Sequence, residues 1–295
     1  MDLRQLEMFR AVAENLSFTL GGQQLNVAQS AVSRKIRLLE HELGQDLFKR
    51  VNKRIFLTPA GETMMRYTNR VFQELRNAVL EIEDLGQMKR GTIKIGSGMT
   101  ACMYVLPPVI EEFQNRFPLV NIQVVTASTE VLVPQIREGQ IDLGVLTLPI
   151  GFPDLEVTPL AKEEMVLAVS PRNRRLARRS SIEAAELGAH PMIVFSSGTS
   201  TRSLMDNYFE RIGILPKIAM ESENVATIKP LVRINLAVAL LPLRSVAAEA
   251  RHGELHYVRV RDRKLFREIG LVRQRSAYKP NALTELIALF SKRVR

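Results

Sequence analysis

The run from Ser17 to Glu40 constrains this chain more than any other stretch. It reads as a short helix, a tight turn and a second helix whose two sides have opposite chemistry. From Ala28 to Leu43, the apolar residues Val32, Ile36, Leu39 and Leu43 recur at three- and four-residue spacing, which gathers them on one side of a helix. Ser30, Ser33, Arg34 and Arg37 fall on the other side, with Gln29 at the N-terminal end. One side can seal a core while the other offers amide, hydroxyl and guanidinium groups to a polar, anionic surface. The major groove of double-stranded DNA is such a surface. A single helix of this kind is equally well explained as an ordinary solvated face, so its neighbours decide.

Upstream, a helix from Leu3 to about Asn15 would bury Leu6, Phe9, Val12 and Ala13. Thr19 is the expected cap of a short second helix, Leu20 to Leu25, and Asn26-Val27 the turn. Downstream, Asp46 to Leu57 has the pattern of a β-hairpin with a cationic tip at Val51-Asn52-Lys53, where Asn52 tolerates a left-handed turn. Lys49, Arg50, Lys53 and Arg54 cluster there. A basic hairpin beside a reading helix is a wing, and Arg50, Lys53 and Arg54 would meet phosphates or the adjacent minor groove.

Leu3-Arg4-Gln5-Leu6 through Thr58-Pro59-Ala60-Gly61 resembles the N-terminal winged helix-turn-helix of LysR-type transcriptional regulators almost end to end. The landmarks are Ser17-Phe18-Thr19, Gln29, Ala31-Val32-Ser33, Leu38-Leu39-Glu40, Glu42-Leu43-Gly44, Leu47-Phe48 and Leu57-Thr58-Pro59-Ala60-Gly61. Length and second half match too, so the resemblance covers the whole chain. Gly21-Gly22 stands where the family usually has two alanines, Ala28 where it has a serine cap, and Ser30 where it has proline. Two helical glycines cost about 1 kcal/mol each against alanine, so a less stable N-terminal unit is expected.

Thr58, Pro59 and Glu62 are cap, first-turn proline and favourable first-turn charge of a long helix running to Leu85-Gly86, about 43 Å at the helical rise. Met64, Val71, Ala78 and Leu85 repeat every seven residues, Thr68, Leu75 and Ile82 form a second seam, and Met65, Phe72 and Val79 widen the stripe. Another copy of the same helix is the natural cover for so long a face. A homodimer would present two reading helices to a pseudo-palindromic operator. The resemblance implies that two dimers join into a homotetramer.

From Thr92 onward, short apolar strands alternate with helices, which implies parallel sheets covered by helices. The expected strands include Thr92–Gly96, Val120–Val125, Asp142–Leu146, Met165–Val169, Met192–Phe195, Val238–Leu241 and Ile269–Val272. Helices are expected near 103–117, 129–138, 201–212, 224–234 and 282–292. Roughly 205 residues suit two lobes better than one. The resemblance implies the following architecture: an all-α winged helix-turn-helix DNA-binding domain at 1–58, a linker and dimerisation helix at 59–87, and a two-lobed α/β effector-binding domain at 91–295, similar to periplasmic binding proteins. Lobe I would span 91–161 plus 268–295 and lobe II 162–267, joined by hinge strands near Leu160–Met165 and Leu265–Gly270.

Ligands of open α/β sheets sit beyond the carboxyl ends of strands, where helix N-termini point. Ser97-Gly98-Met99-Thr100, Ser128-Thr129 and the loop Ser196 to Arg202 occupy such places, with Thr147 just past another strand. Hydroxyls and free N–H groups there suit a carboxylate or other small anion. Simple helix capping accounts for each place taken alone; their convergence on one cleft, as an effector site of Ser97, Gly98, Thr100, Ser128, Thr129, Thr147, Ser197 and Thr199, is what the resemblance implies.

Catalysis finds no support. The four histidines are scattered, and no nucleophile elbow, phosphate loop or dinucleotide fingerprint is present, so neither catalytic residues, metal nor cofactor is expected. Cys102 is the only cysteine, which excludes an intramolecular disulfide and suits a reducing cytoplasm. Its placement near the cleft reads better as a small buried hydrophobe than as a sensor. No apolar run has the length of a membrane span. The net charge of +10 favours anionic partners. Arg172, Arg174, Arg175, Arg178 and Arg179 form one cationic cluster, and Arg259, Arg261, Arg263, Lys264 and Arg267 another, both expected on solvated loops. The sequence thus points to a regulator of promoter DNA with a small-molecule effector and RNA polymerase as a candidate partner. A solute-binding protein and an architectural DNA protein are its rivals.

Overall fold

The computed structural model describes residues 1–52, 54–85, 91–275 and 281–294, in two units considered separately. In the first, Asp2 opens helix α1 (Leu3–Asn15) with a capping box: its carboxylate accepts the Gln5 N–H, and the Gln5 side chain accepts the Asp2 N–H. The Gln5 N–H, helped by Lys35, holds the Asp2 carboxyl below its ordinary range. Leu16 turns left-handed at φ 47°. Ser17 then caps α2 (Phe18–Gln24), accepting the Leu20 N–H at 3.3 Å. The cap is therefore Ser17 and not Thr19, because the Leu16 turn lets the helix start two residues early. Helix α3 (Gln29–Leu43) starts on Ala28 without a side-chain cap and stops at Gly44 in the left-handed conformation. Strands β1 (Phe48–Val51) and β2 (Arg54–Leu57) pair antiparallel, with Asn52 at φ 49°. Thr58 then opens α4 (Pro59–Leu85), accepting the Gly61 N–H at 3.0 Å.

Met8 and Val12 pack on Val32 and Ile36, while Phe9 and Ala13 pack on Leu39 and Leu47. Phe48 joins the two groups, with its ring 5.3 Å from Phe9 and 5.5 Å from Phe18. Leu43, expected on the apolar side of α3, is 41% exposed, so the stripe closes one turn earlier. Met64 and Met65 pack into the winged core and are spent there before they could serve a seam on α4.

The glycine pair of α2 is a packing device as well as a helix weakener. A Cβ on Gly21 would stand 2.9 Å from Val12, and one on Gly22 only 2.6 Å from the Val27 carbonyl oxygen. The tightest approach is at Gly61, where a Cβ would lie 2.1 Å from the Leu47 carbonyl oxygen. Gly61→Ala should therefore destabilise the winged unit by about 1–3 kcal/mol through overpacking, reversing the gain of about 1 kcal/mol that alanine brings to an open helix site. Denaturant unfolding of the full chain reads the sign, and a stabilised variant would mean that α4 can back away from Leu47 freely.

The second unit runs β3 (Gly91–Ser97), α5 (Met99–Tyr104), α6 (Leu106–Arg116), β4 (Val120–Thr126), α7 (Thr129–Arg137), β5 (Leu143–Thr147), β6 (Leu155–Val169), β7 (Ser181–Ile182), β8 (Pro191–Phe195), α8 (Ser200–Ile212), β9 (Lys217–Ser222), α9 (Val225–Arg233), β10 (Ala239–Pro242), α10 (Leu243–Arg251), β11 (His256–Val260), β12 (Leu265–Gln274) and α11 (Asn281–Arg293). One eight-stranded sheet has the order β4-β3-β5-β12-β6-β11-β7, with β10 also on β6, and β8 pairs with β9 separately. Strand β3 is parallel to β4 and β5, and β8 to β9, as the helical crossovers require.

The expectation of parallel sheets fails at the centre. Strand β12 is antiparallel to both β5 and β6, and along β6 it pairs from Leu265 opposite Met165 to Gln274 opposite Leu155, with a one-residue register shift between Ile269 and Gly270. The chain leaves the first lobe along β6 and returns along β12, so these two neighbours must run oppositely. Their two ends serve different cores. Leu160, Ile269 and Leu271 pack with Ile95, Val109, Phe113 and Phe290. Met165 to Val169 and Leu265 pack instead with Met192 to Phe195, Tyr208, Ile228 and Leu240. Elements β7, β9, α10 and β11 were not expected; five of the six β9 residues are exposed, which erases the strand alternation. Among the described residues, no helix is long and apolar enough to cross a membrane.

Candidate functional site

The first candidate surface is on α3. Val32, Ile36 and Leu39 are at most 1% exposed. On the opposite side, Gln29, Ser30, Arg34 and Arg37 are exposed, and Ser33 is half-buried and accepts from the Arg37 guanidinium at 3.2 Å. With no side-chain cap on Ala28, the first N–H groups of α3 stay open beside Gln29 and Ser30, at the positive end of the helix. On the wing, Arg50 and Arg54 are exposed, and the Arg50 guanidinium stands 5.8 Å from the Phe18 ring. Lys53 lies outside the described residues. Along α4, Val71, Leu75, Val79 and Ile82 are 39%, 43%, 55% and 68% exposed, while Phe72 is half-buried under the Arg10 guanidinium at 4.3 Å.

The second candidate is a cavity of about 390 Å³ within the second unit. The starts of α5, α7, α8 and α9 converge on it, which directs several positive helix ends into one space. Gly98 and Thr100 line it from one strand end, Ser128 and Thr129 from the next, and Thr147 from the end of β5. Ser197 and Thr199 face them from the second lobe.

Three expected ligand groups are already engaged. Ser97 does not line the cavity: it is fully buried, and its hydroxyl donates to the carbonyls of Gly98 at 3.1 Å and Val145 at 3.4 Å. It holds the strand end instead of facing a ligand. Thr199 caps α8, accepting the Arg202 N–H at 3.2 Å and donating to the Ser196 carbonyl at 2.9 Å. The Ser197 N–H, expected to be free, is directed at Glu221 at 3.4 Å. Arg202 is likewise committed within its lobe, to Glu221, Asp206 and the Phe195 carbonyl. Glu221, first among its partners, holds its guanidinium above the ordinary range.

Two polar links join the lobes among the described residues, the first at a residue that lines the cavity. The Ser200 hydroxyl donates to Glu130 at 2.9 Å. Lys229 donates to the Tyr104 hydroxyl at 2.7 Å and sits over its ring, while also pairing with Glu249. Burial opposes the charge on Lys229, but Glu249 and Tyr104 outweigh it and hold the ammonium above its ordinary range.

The group that sequence reasoning misplaced is Arg267. Expected in a solvated cationic cluster, it is 3% exposed and lines the cavity from β12. Its neighbours are dispersed too: Arg259 pairs with Glu164 and Arg261 with Glu183. In the other cluster Arg172, Arg174, Arg175 and Arg178 are exposed, whereas Arg179 forms a two-pronged pair with Glu186 at 2.6 and 2.7 Å and lowers that carboxyl to about 2. The sequence signal for Arg267 was its place in the alternation of Leu265-Phe266-Arg267-Glu268-Ile269, which puts it on the same strand face as two core residues. Cys102 is half-buried, 3.9 Å from the Thr126 hydroxyl. No cluster of three potential metal ligands occurs among the described residues.

Residues 3–62 match the family described as "Bacterial regulatory helix-turn-helix protein, lysR family", and residues 86–295 match "LysR substrate binding domain". A "Probable RuBisCO transcriptional regulator" of Porphyra purpurea is 28% identical over 298 residues, covering 98% of this chain and 94% of the relative. Among solved structures, a full-length OxyR variant from Pseudomonas aeruginosa superposes with a TM-score of 0.78 at 22% identity, covering 98% of this chain and 94% of that one. Full-length CbnR complexed with its target DNA gives 0.70 at 22% identity, with 99% of each chain covered. The exposed polar face of α3, the wing and the two-lobed cavity thus stand within a recognised architecture, and the chain belongs to the LysR family of bacterial helix-turn-helix transcriptional regulators.

Proposed function

We propose that this regulator binds promoter DNA as a dimer, and as a tetramer of two dimers, and responds to a small anionic effector held between the lobes of its C-terminal domain. Residues 1–58 form the DNA-reading domain, 59–87 the pairing helix and 91–295 the sensor, with lobe I at 91–161 plus 268–295 and lobe II at 162–267. The observation that carries the reading is the division of α3 into one fully buried side and one exposed row of Gln29, Ser30, Arg34 and Arg37. Side chains of these types have the donors and acceptors that read base edges and phosphates in a major groove. Ser33 supports Arg37 from the same row, and Arg50, Lys53 and Arg54 anchor the wing. CbnR, the solved relative bound to its target DNA, gives the mode of engagement a precedent.

The exposed apolar residues of α4 support pairing with a second copy, since Val71, Leu75, Val79 and Ile82 have the spacing of a helix–helix seam. In the sensor, the converging helix starts and the hydroxyls of Thr100, Ser128, Thr129 and Thr147 support an anion with polar substituents. Such an effector acts by binding one lobe arrangement more tightly than another, and RNA polymerase is the partner through which the change reaches transcription. The test is selection of genomic DNA fragments by the purified full chain at near-physiological salt, followed by sequencing. Enrichment of a few sites with inverted half-sites is expected. Uniform, salt-sensitive recovery without a shared motif would leave only a basic surface that coats DNA.

A further inference from the structure

Most of the excess positive charge lies outside the DNA-reading unit. Residues 162–267 hold 18 Lys and Arg against 11 Asp and Glu, whereas residues 1–58 hold 9 against 6. The second lobe thus carries +7 of the net +10, and the winged unit only +3. Several cations of the lobe have a carboxylate: Arg267 pairs with the equally buried Glu163 at 2.6 Å, Arg202 with Glu221 at 2.8 Å and Arg233 with Glu254 at 2.8 Å. The loop between β6 and β7 differs. Arg172, Arg174, Arg175 and Arg178 are all exposed there, and none forms an ion pair or a side-chain hydrogen bond among the described residues.

This loop is held in place. The Ser170 hydroxyl, buried, donates to the Arg233 carbonyl at 2.8 Å and accepts the Arg172 N–H at 3.2 Å. The Asn173 side chain accepts the Leu176 N–H at 3.2 Å, and Leu176 is sealed in the core of the lobe. The acids of the following stretch are already engaged, Glu186 by Arg179 and Glu183 by Arg261. Lys217 on β9 belongs to the same field. Burial first, then Arg175, Arg179 and Lys217, hold the His190 imidazole below its ordinary range against the pull of Glu186.

We infer that this loop is a second DNA contact, in which Arg172, Arg174, Arg175 and Arg178 lie against backbone phosphates of the duplex beyond the half-sites that α3 reads. The inference rests on the reading of α3 as the operator-binding surface. Guanidinium groups fixed side by side repel one another until a dense anion neutralises them, and duplex DNA offers one negative charge per about 1.7 Å of its axis. An acidic protein is the poorer match, because protein interfaces are built around an apolar or aromatic centre. The exposed residues from 171 to 180 are Pro171, the four arginines and Ser180, and the one large apolar side chain, Leu176, is buried. A loop already fixed by Ser170 and Asn173 needs little ordering to bind. Once the operator is held by the winged unit, flanking duplex is present at high effective concentration, so a weak contact still adds affinity.

The test compares the full chain with the variant Arg172→Gln/Arg174→Gln/Arg175→Gln/Arg178→Gln on two duplexes, titrated over a range of salt. One duplex covers the selected half-sites only, and the other adds several helical turns of scrambled sequence on each side. On the long duplex the variant should lose about 0.9 of salt slope for each phosphate contact removed. Raising salt from about 50 to 200 mM should then cost the parent roughly 10- to 100-fold more affinity than the variant. On the short duplex the two slopes should coincide. The corresponding Arg→Lys variant should keep the parent's slope on both, since a phosphate contact of this kind depends on charge. A Gln variant with the parent's slope on the long duplex would overturn the inference. So would an equal loss of slope on both lengths, which would mean a general field instead of a contact. Poly-L-glutamate bound by the parent and not by the Gln variant, with the DNA slopes unchanged, would reassign the loop to an acidic protein. Specific binding of the short duplex by both proteins keeps the operator reading standing whatever the long duplex gives.

Discussion

Arg34→Ala is expected to lower affinity for a specific operator by about thirty-fold to twenty-thousand-fold while leaving oligomerisation unchanged. A bidentate arginine–base contact contributes about 1–3 kcal/mol of discrimination, and a two-fold symmetric complex makes it twice, giving about 2–6 kcal/mol. Arg34 is the candidate for that contact because of its position. It is exposed on the polar row of α3, opposite Val32 and Ile36, and no ion pair is formed by it among the described residues. Arg37, by contrast, is partly engaged by Ser33. Binding is measured on the selected operator and on a scrambled sequence, with sedimentation to follow the oligomer. Loss on the operator alone is the expected pattern. Equal loss on both sequences would make Arg34 a phosphate contact, and full operator affinity would move the reading surface elsewhere on α3.

Glu163→Ala should destabilise the sensor strongly, by about 3–5 kcal/mol, because it strands the Arg267 charge in a buried site. For a domain of this size that is a fall of roughly 10 °C in Tm. The cost belongs to the unpaired charge more than to the lost bond, so Arg267→Met/Glu163→Met should recover most of it. The Arg233–Glu254 pair provides the contrast: its side chains are 55% and 47% exposed, and Glu254→Ala should cost no more than about 1 kcal/mol. A Glu163→Ala variant that melts with the parent would mean that water reaches Arg267 and neutralises its need for a partner. The buried description of the Arg267–Glu163 pair would then fail.

The reading helix and the wing were legible because their signals are local. Val32, Ile36 and Leu39 repeat at helical spacing within one segment, and that alone fixes which residues face out. The ends of elements were less legible, since the α2 cap depends on the left-handed turn at Leu16. Met64 and Met65 fit the heptad of α4 by spacing, yet a core built by Phe9, Leu39 and Leu47 takes them first. At the cavity, strand-to-helix junctions announced Thr100, Ser128 and Thr129. They could not show that the hydroxyl of Ser97 turns inward to backbone carbonyls.

By itself, then, the amino-acid sequence determined what depends on short-range periodicity: a helix with a sealed side and a polar side, a basic hairpin, a long helix with an apolar stripe, and a run of strand–helix junctions rich in hydroxyls. Only the tertiary structure decided the direction of β12 against β6 and the fate of Arg267. That residue stands in a basic stretch, Arg259 to Arg267, that reads as solvated. Its partner, Glu163, is 104 positions away. Burial and charge pairing are properties of neighbours in space, and the antiparallel return of the chain along β12 supplies those neighbours.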